Sequence, residues 1–249
     1  MFKSYFMKHI FVFFFFTQLI SINAFSQVRE APLVQEGEGP FEQLIIRSAT
    51  MISGTGSPPI GPVDILIEGS LIKNIKVVGY PGVEIKESRR IKASENAREI
   101  DAEGMYVLPG FVDMHGHIGG KAQGADAEYV FKLWLAHGIT TIRDPSCGNG
   151  LDWVLKHKRL SQENKITAPR IQAYTVFGQG SETTIENPDQ ARQWVRDNAE
   201  KGADGIKFFG LAPKIFAAAL DENKKLGLRS ACHHAQLDVA RWNVLHSAR

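Results

Sequence analysis

The chain is organised around the stretch Leu108-Pro109-Gly110-Phe111-Val112-Asp113-Met114-His115-Gly116-His117. An apolar run follows a Pro-Gly pair and ends in two histidines that are separated by one residue. Because side chains alternate between the two faces of a strand, His115 and His117 are expected to point the same way. Neutral imidazole nitrogens bind zinc and other borderline divalent metals. The stretch therefore predicts a strand with two metal ligands at its C-terminal end, where parallel α/β folds bind their ligands. The alternative is a chance pair of histidines satisfied in a core or loop.

The composition is that of an ordinary globular protein. The 249 residues are 43% hydrophobic and 22% charged, which is enough apolar material for a substantial core. The 29 basic and 27 acidic residues leave a formal net charge of +2. This near balance gives no indication of a nucleic-acid partner.

Residues 1–26 have the pattern of a secretory signal peptide. Lys3 and Lys8 supply the positive start, an apolar run extends from Ile10 to Ile22, and Ala24-Phe25-Ser26 supplies small residues at the positions that a signal peptidase reads. We expect cleavage after Ser26 and export to the periplasm or the medium. The alternative, an uncleaved membrane anchor, is less favoured because the run is short for a span. No other stretch of the sequence is suited to span a membrane.

Cys147 and Cys232 are the two cysteines of the chain. Export would permit a disulfide between them. Both fall at the ends of predicted strands rather than in a loop framework, so we expect free, mostly buried thiols. A bridge or a role in metal binding is the alternative.

Two regions precede the histidine pair. Residues 27–40 are polar and rich in glutamate, and they are interpreted as an extended leader. Residues 41–104 contain β-type runs at 43–47 and 63–68, a turn signal at Glu68-Gly69-Ser70-Leu71, and an alternating run at 72–78. We expect residues 41–104 to form a small antiparallel, β-sandwich-like unit, with a charged loop at 83–97.

From residue 105 strands alternate with helices. Strands are predicted at 106–114, 139–144, 170–176, 204–209 and 228–234, and helices at 127–137, 151–162, from Asn187-Pro188 to Gly202, and 214–225. The spacing of about 30 residues is that of a βα unit, so residues 105–249 predict an α/β fold of the (β/α)8 TIM-barrel type. About five strands are visible and a helical pattern over 237–248 ends without a cap, so we expect an incomplete barrel. The alternative is a smaller, complete open α/β sheet.

Two further positions are candidates for metal binding. Lys207 lies between Ile206 and Phe208 on an apolar strand. An ammonium buried there without a partner would be costly, and an outward, solvated lysine is the alternative. His233 and His234 are adjacent, so at most one of them faces the metal side of its strand.

Four segments, in this order, resemble the metal-dependent amidohydrolase superfamily: 108–117, 138–145, 202–207 and His234-Ala235. The resemblance is to its binuclear type with a carboxylated lysine, similar to imidazolonepropionases and Xaa-Pro dipeptidases. It implies a small β-sandwich before a distorted (β/α)8 barrel. It also implies that His115, His117, carboxylated Lys207 and His234 hold divalent metal, zinc, with two ions in the complete protein. No other cofactor is implied.

The resemblance implies hydrolysis of a C–N bond in a small amide, cyclic amide or dipeptide-like substrate by metal-activated hydroxide. In the family a sixth-strand histidine and an eighth-strand aspartate complete the site, and both would fall after Arg249. We therefore assign no catalytic residue and expect the chain as given to be an inactive fragment. The alternative is a non-catalytic relic or binding module on the same scaffold. Lys207 argues against a third possibility, a deaminase with one metal. Neither the substrate nor the oligomeric state is specified.

The remaining polar candidates have ordinary roles. Asp113 either orients a metal ligand or is structural, and Asp144 is predicted to be a structural ion-pair partner. His137 falls in the last turn of a helix, where the dipole favours a positive imidazole. His157, between two lysines, is expected to be solvated. Gly119-Gly120 and Gly148-Asn149-Gly150 are expected to be flexible loops at the active-site face.

Overall fold

The computed structural model of the chain describes residues 38–233. These residues form two five-stranded sheets and four α-helices. The predicted signal peptide, most of the predicted leader, His234 and the predicted helix over 237–248 lie outside the described residues. No helix of the described part of the chain is long and apolar enough to cross a bilayer.

The first sheet is mixed and is built around its longest strand, β1. Its strands are β1 (Gln43–Met51), β2 (Ile60–Glu68), β3 (Leu71–Val77), β4 (Arg98–Asp101) and β5 (Tyr106–Val107). They follow the order β3-β2-β1-β4, with β5 also paired to β1. The hairpin partners β2 and β3 are antiparallel as expected, whereas β4 and β5 run parallel to β1. The expectation of a purely antiparallel unit was therefore wrong, because β4 reaches β1 through a long excursion instead of a hairpin.

The second sheet is wholly parallel. Its strands are β6 (Phe111–Asp113), β7 (Ile139–Asp144), β8 (Arg170–Val176), β9 (Gly205–Phe208) and β10 (Arg229–Cys232). They lie in chain order and the sheet curls, so that it forms half of a TIM-like barrel. The predicted α/β class and the incomplete barrel are confirmed.

Four helices connect the strands of the parallel sheet: α1 (Ala127–Ala136), α2 (Leu151–Gln162), α3 (Pro188–Lys201) and α4 (Pro213–Lys225). The start of α3 is as predicted, because the Asn187 side chain accepts a hydrogen bond from the backbone N–H of Gln190 at 3.0 Å. Its end is also as predicted, because Gly202 adopts the left-handed conformation that terminates a helix.

The helices cover one face of the parallel sheet. Phe131 of α1 and Val154 of α2 pack on Ile142 of β7, and Phe216 of α4 packs with Ile206 and Phe208 of β9. Because side chains alternate along a strand, the residues between these apolar positions face the opposite, concave side. Lys207 is one of those residues.

The predicted strand over 106–114 is in fact two strands in two sheets. Residues 108–110 carry the chain from β5 in the mixed sheet to β6 in the parallel sheet. Pro109 has no N–H to donate to a ladder. A Cβ on Gly110 would lie 2.0 Å from Oγ1 of Thr140, so only glycine lets β6 enter beside β7.

Candidate metal centre

The two histidines of the opening stretch follow β6 instead of lying on it. The strand ends at Asp113, whose Oδ1 accepts a hydrogen bond from the backbone N–H of His115 at 2.8 Å and so holds a turn. The histidines thus follow the strand end, where they were predicted, and a turn sets their relative orientation instead of the alternation of a strand. The turn nevertheless places them side by side, with the ring centroids of His115 and His117 5.5 Å apart and the ring planes at 83°. Asp113, left open by the sequence, shapes this turn.

Gly116 makes this turn possible. A Cβ at this position would lie 2.7 Å from the Trp134 ring and 3.2 Å from Oδ2 of Asp113. Any larger residue would push the turn away from helix α1. The glycine between the histidines is therefore required by close packing.

His117 is held from one side by a buried carboxylate. Its Nδ1 lies 3.3 Å from Oδ1 of Asp144, which is 0% exposed. Asp144 also accepts hydrogen bonds from the backbone N–H groups of Ser146 at 3.2 Å and Ile118 at 3.4 Å. Burial raises the pKa of Asp144, and these two N–H groups oppose that rise. Asp144 therefore has a structural partner, as expected, and this partner is one of the predicted metal ligands.

Lys207 is 4% exposed on the concave face of β9. Its Nζ lies 5.4 Å from the ring centroid of Phe209, and no carboxylate of residues 38–233 forms an ion pair with it. Burial lowers the pKa of Lys207, and the charge of Arg143 lowers it further while Cys232 opposes the change. The alternative of an outward, solvated lysine was therefore wrong.

His115 is electrostatically coupled to the same group. Burial is the largest cause that lowers the pKa of His115. The positive charges of Lys207, His117 and Arg143 lower it further. The described structure thus brings His115 beside His117 and within electrostatic reach of Lys207. That these residues bind metal stays a prediction, and His234, the fourth predicted ligand, lies outside the described residues.

The donor set fits a divalent metal on one condition. Among residues 38–233, no three side chains of histidine, cysteine, aspartate or glutamate are grouped so that they could hold a metal. A protonated Lys207 beside the two imidazoles would repel the ion. A lysine carrying a carboxylate on its nitrogen would instead add two anionic oxygens. The buried Lys207, which has no described carboxylate partner, is compatible with that form.

The neighbouring histidines have other roles. His233 follows β10, is exposed, and stacks on Phe209 with ring centroids 5.8 Å apart. Nδ1 of His137 lies 2.7 Å from the Leu133 carbonyl oxygen at the end of α1. His157 is half-buried, and the expectation that it is solvated was wrong, because its ring packs at a tilt against that of Trp153, one helical turn earlier, with centroids 3.9 Å apart.

The two glycine-rich loops are fastened to each other. The Asn149 side chain donates to the Gly119 carbonyl oxygen at 2.7 Å and accepts from the Ala122 N–H at 2.9 Å. A Cβ on Gly120 would lie 2.5 Å from the Asn149 amide nitrogen. These glycines therefore allow close packing instead of simple flexibility, which corrects the expectation. Cys147, in the same loop, is buried, and both cysteines are free, as expected.

The sequence reasoning missed Arg143 and Tyr174. Nε of Arg143 donates to the Met114 carbonyl oxygen at 2.5 Å, and the guanidinium carbon lies 5.4 Å from the Tyr174 ring centroid. Both residues belong to the concave face. Their strand positions share the alternation of Lys207, and that signal could have identified them.

No family model matches the chain. It is 32% identical over 134 residues to an imidazolonepropionase of Caulobacter sp. (strain K31), a match that covers 53% of this chain and 30% of that protein. It is 44% identical over 80 residues to an adenine deaminase of Methanoculleus marisnigri, which covers 28% and 15% respectively. The chain thus matches less than a third of the length of these curated relatives.

The fold matches solved structures more completely. Molinate hydrolase superposes with a TM-score of 0.60 at 18% identity, over 83% of this chain and 56% of that one. A Xaa-Pro dipeptidase superposes with a TM-score of 0.53 at 22% identity, over 77% and 56%. These likenesses show the fold. Together with the curated relatives, they relate the chain to the amidohydrolase superfamily, over the part of that fold which it spans.

Proposed function

We propose that this chain belongs to a metal-dependent hydrolase that cleaves a C–N bond in a small amide, cyclic amide or dipeptide-like substrate. The observation that carries the proposal is the contact between His117 and the buried Asp144, with His115 at its side. A histidine that ligates a metal commonly donates its other ring nitrogen to a carboxylate. The curated relatives support the reaction class, because their names describe enzymes that hydrolyse C–N bonds.

His115, His117, Lys207 and His234 are the residues that would hold divalent metal in this proposal. When bound, zinc would lower the pKa of a water molecule to give hydroxide near neutral pH and would polarise the scissile carbonyl. Superfamily relatives are divalent-metal enzymes, and zinc itself is part of the proposal.

The chain's own residues prepare the ligands. In this proposal Nδ1 of His117 carries the hydrogen and donates it in a hydrogen bond to Asp144, 3.3 Å away, which leaves Nε2 as the free ligand atom. Asp113 fixes the backbone of His115 through its 2.8 Å hydrogen bond. The first contact orients the His117 imidazole and the second fixes the His115 backbone before anything binds, which reduces the conformational entropy lost on ligation.

Lys207 would need one covalent step. Its neutral amine attacks carbon dioxide, a C–N bond forms, one C–O π bond moves its electrons to oxygen, and the proton on nitrogen passes to water. The product is an anionic carbamate with two ligand oxygens. The site is suited to it because the lysine is 4% exposed and no described carboxylate occupies its nitrogen.

We also propose, on the pattern of residues 1–26, that the protein is exported.

Metal content provides the direct test. The purified chain is loaded with zinc in the presence of bicarbonate, and bound metal is measured by atomic emission after gel filtration. We expect His115→Ala and His117→Ala to lose the metal that the wild type retains, whereas His137→Ala, which removes an imidazole from the end of α1, retains it. Equal metal content in all four proteins would overturn the proposal.

Hydrolysis separates the enzyme from the alternative of a binding module. A panel of acyl amino acids, cyclic amides and dipeptides is offered to the full-length, zinc-loaded protein. Turnover that His115→Ala abolishes supports the enzyme. Tight metal binding without turnover on any member of the panel would favour a non-catalytic role.

A further inference from the structure

Arg143 is a half-buried cation that uses only part of its hydrogen-bonding capacity within the described residues. Its Nε is used by the Met114 carbonyl oxygen at 2.5 Å, and one face of its guanidinium lies over the Tyr174 ring. Within residues 38–233, no carboxylate forms an ion pair with it, and its two terminal nitrogens have no hydrogen-bond partner. Arginine presents five N–H donors in a fixed plane. The two terminal nitrogens, called here the fork of Arg143, are therefore available to a ligand.

The Tyr174 ring is a rigid support. The residue is 2% exposed, and β8 and β9 are in register with Tyr174 opposite Gly205. A Cβ on Gly205 would lie 2.5 Å from Cζ of Tyr174, so the ring packs directly on backbone. The guanidinium thus has a buried, closely packed ring on one face and a carbonyl group at one edge.

This fork lies at the candidate metal centre. Met114, which accepts from Arg143, immediately precedes His115. Arg143 of β7 and Lys207 of β9 occupy positions that, by strand register and alternation, face the same concave side of the parallel sheet. Two basic groups that lack described carboxylate partners therefore share the concave face beside the histidines. Such a region attracts an anion.

The geometry selects the kind of anion. With one guanidinium face stacked and the Nε edge occupied, an incoming group can approach the terminal nitrogens in the plane of the guanidinium. A carboxylate is planar and accepts two parallel N–H bonds in that plane. We propose that Arg143, supported by Tyr174, binds a carboxylate of the substrate. The substrates are then amides that carry a carboxylate near the scissile bond, an inference that rests on the proposed function for the bond that is cleaved.

Binding to the metal-free chain tests the carboxylate site without any catalysis. Succinate and its neutral analogue succinamide are titrated into the full chain without bicarbonate, and binding is followed by NMR and calorimetry. We expect succinate to bind more tightly than succinamide by about 10- to 100-fold, the value of hydrogen bonds to a charged group. Equal binding of the two compounds to the wild type would overturn the inference, and this comparison needs no variant.

Two arginine variants locate the site. Arg143→Gln should weaken succinate binding by about tenfold or more and leave succinamide unchanged. Arg170→Gln is the matched control, because it removes the same charge from an exposed residue that shares the sheet face with Tyr174 but lies at the opposite end of β8. If the glutamine variant does not fold, Arg143→Lys keeps the charge without the fork and should still lose affinity. Unchanged binding in the Arg143 variant, or equal losses in both positions, would overturn the assignment.

Catalysis then distinguishes this inference from the proposed function. N-acetylproline and N-acetylpyrrolidine share the amide and differ in the carboxylate. Both the proposed function and the carboxylate site are supported if N-acetylproline is hydrolysed with a lower KM than N-acetylpyrrolidine and Arg143→Gln raises that KM. Equal hydrolysis of the two compounds leaves the proposed function standing and overturns the inference. No hydrolysis of either compound by the full-length, zinc-loaded protein, with selective succinate binding, leaves the carboxylate site standing and counts against the enzyme.

Discussion

Nδ1 of His117 lies 3.3 Å from Oδ1 of Asp144, a carboxylate that no solvent reaches. Burying an ionised carboxylate is costly unless hydrogen bonds compensate, and Asp144 has two backbone N–H partners besides the imidazole. The arrangement thus stabilises one histidine tautomer at the expense of a desolvated charge. This desolvation cost is consistent with a role for Asp144 in orienting His117 so that Nε2, the opposite ring nitrogen, can bind a metal ion.

Asp144→Asn is expected to lower zinc affinity by about 10- to 100-fold, because the amide no longer makes the imidazole a stronger base. The substituted side chain keeps the volume and one acceptor oxygen, so the fold should persist. Zinc affinity is measured by competition with a chromophoric chelator. Asp152→Asn, which removes an exposed carboxylate from the first turn of α2, is the control. Wild-type affinity in Asp144→Asn would contradict a metal-supporting role for this contact.

Lys207→Met is expected to raise the free energy of unfolding of the metal-free chain by about 1 kcal/mol and to abolish metal binding. Methionine fills a similar volume without a buried ammonium that lacks a described carboxylate partner. Urea unfolding and metal analysis measure the two effects. A gain in stability at the cost of binding is the behaviour expected of a functional residue.

Lys158→Met serves as the opposite control for that experiment. Lys158 Nζ lies 2.7 Å from both carboxylate oxygens of Asp204, and this pair is half-buried. Removing the lysine should therefore lower the free energy of unfolding, by about 1 kcal/mol. If both methionine variants were destabilised equally, Lys207 would be a paired structural lysine instead of a poised ligand.

The local patterns of the sequence were sufficient for the parallel half-barrel but not for the crossing between the two sheets. Strand alternation and helix signals identified β7 to β10, because polar or glycine residues typical of turns flank each of these strands. The single strand over 106–114 was wrong, because its division depends on Thr140 from another strand leaving no space beside Gly110. Likewise, the parallel pairing of β4 with β1 is a contact between distant segments that no local pattern encodes.

The sequence was sufficient to select candidate residues for the site, whose metal binding stays a prediction, but not to describe what surrounds them. Residue type and spacing selected His115, His117 and Lys207. The structure places His115 beside His117, and the charge of Lys207 acts on His115. Arg143 and Tyr174 were missed, because their importance depends on the register between strands. Periodicity can assign a residue to a face, but it cannot show which neighbour on that face lacks a partner.

Asp64→Ala is expected to lower the free energy of unfolding by about 3–5 kcal/mol, because it leaves buried partners without their shared carboxylate. Asp64 is 0% exposed in the mixed sheet. Its oxygens accept from Arg47 at 2.8 Å, Arg90 at 3.1 Å, and the backbone N–H groups of Ser48 at 3.2 Å and Ile91 at 3.3 Å. Urea unfolding measures the loss.

Glu99→Ala provides the comparison for Asp64. Glu99 also pairs with Arg47, at 2.5 Å, but its side chain is 45% exposed. Its removal should cost less than about 1 kcal/mol, as is usual for solvent-exposed ion pairs. Comparable losses for the two substitutions would mean that burial does not decide the value of these carboxylates.

Acid should weaken the contact between α3 and α4. Hydrogen bonds from Lys225 and Arg192 lower the pKa of Asp221, and a hydrogen bond from Arg196 lowers that of Glu222 from its ordinary value of 4.5. A carboxyl group with a lowered pKa in the folded state contributes stability above its unfolded pKa and loses it as the pH falls through the folded pKa. The contribution of Glu222 should therefore be complete at pH 7 and decline below about pH 4.5.

Thermal unfolding of wild type and Glu222→Gln between pH 7 and pH 3 measures this decline. At pH 7 the variant should melt at a lower temperature, because neutral glutamine leaves Arg196 without its ion-pair partner. The two curves should converge toward pH 3, because acid then protonates the wild-type carboxylate as well. Glu182→Gln removes the same charge from an exposed residue between β8 and α3 and should follow the wild type throughout. A constant difference across the whole range would mean that Glu222 acts through packing, because a packing contribution does not depend on its charge.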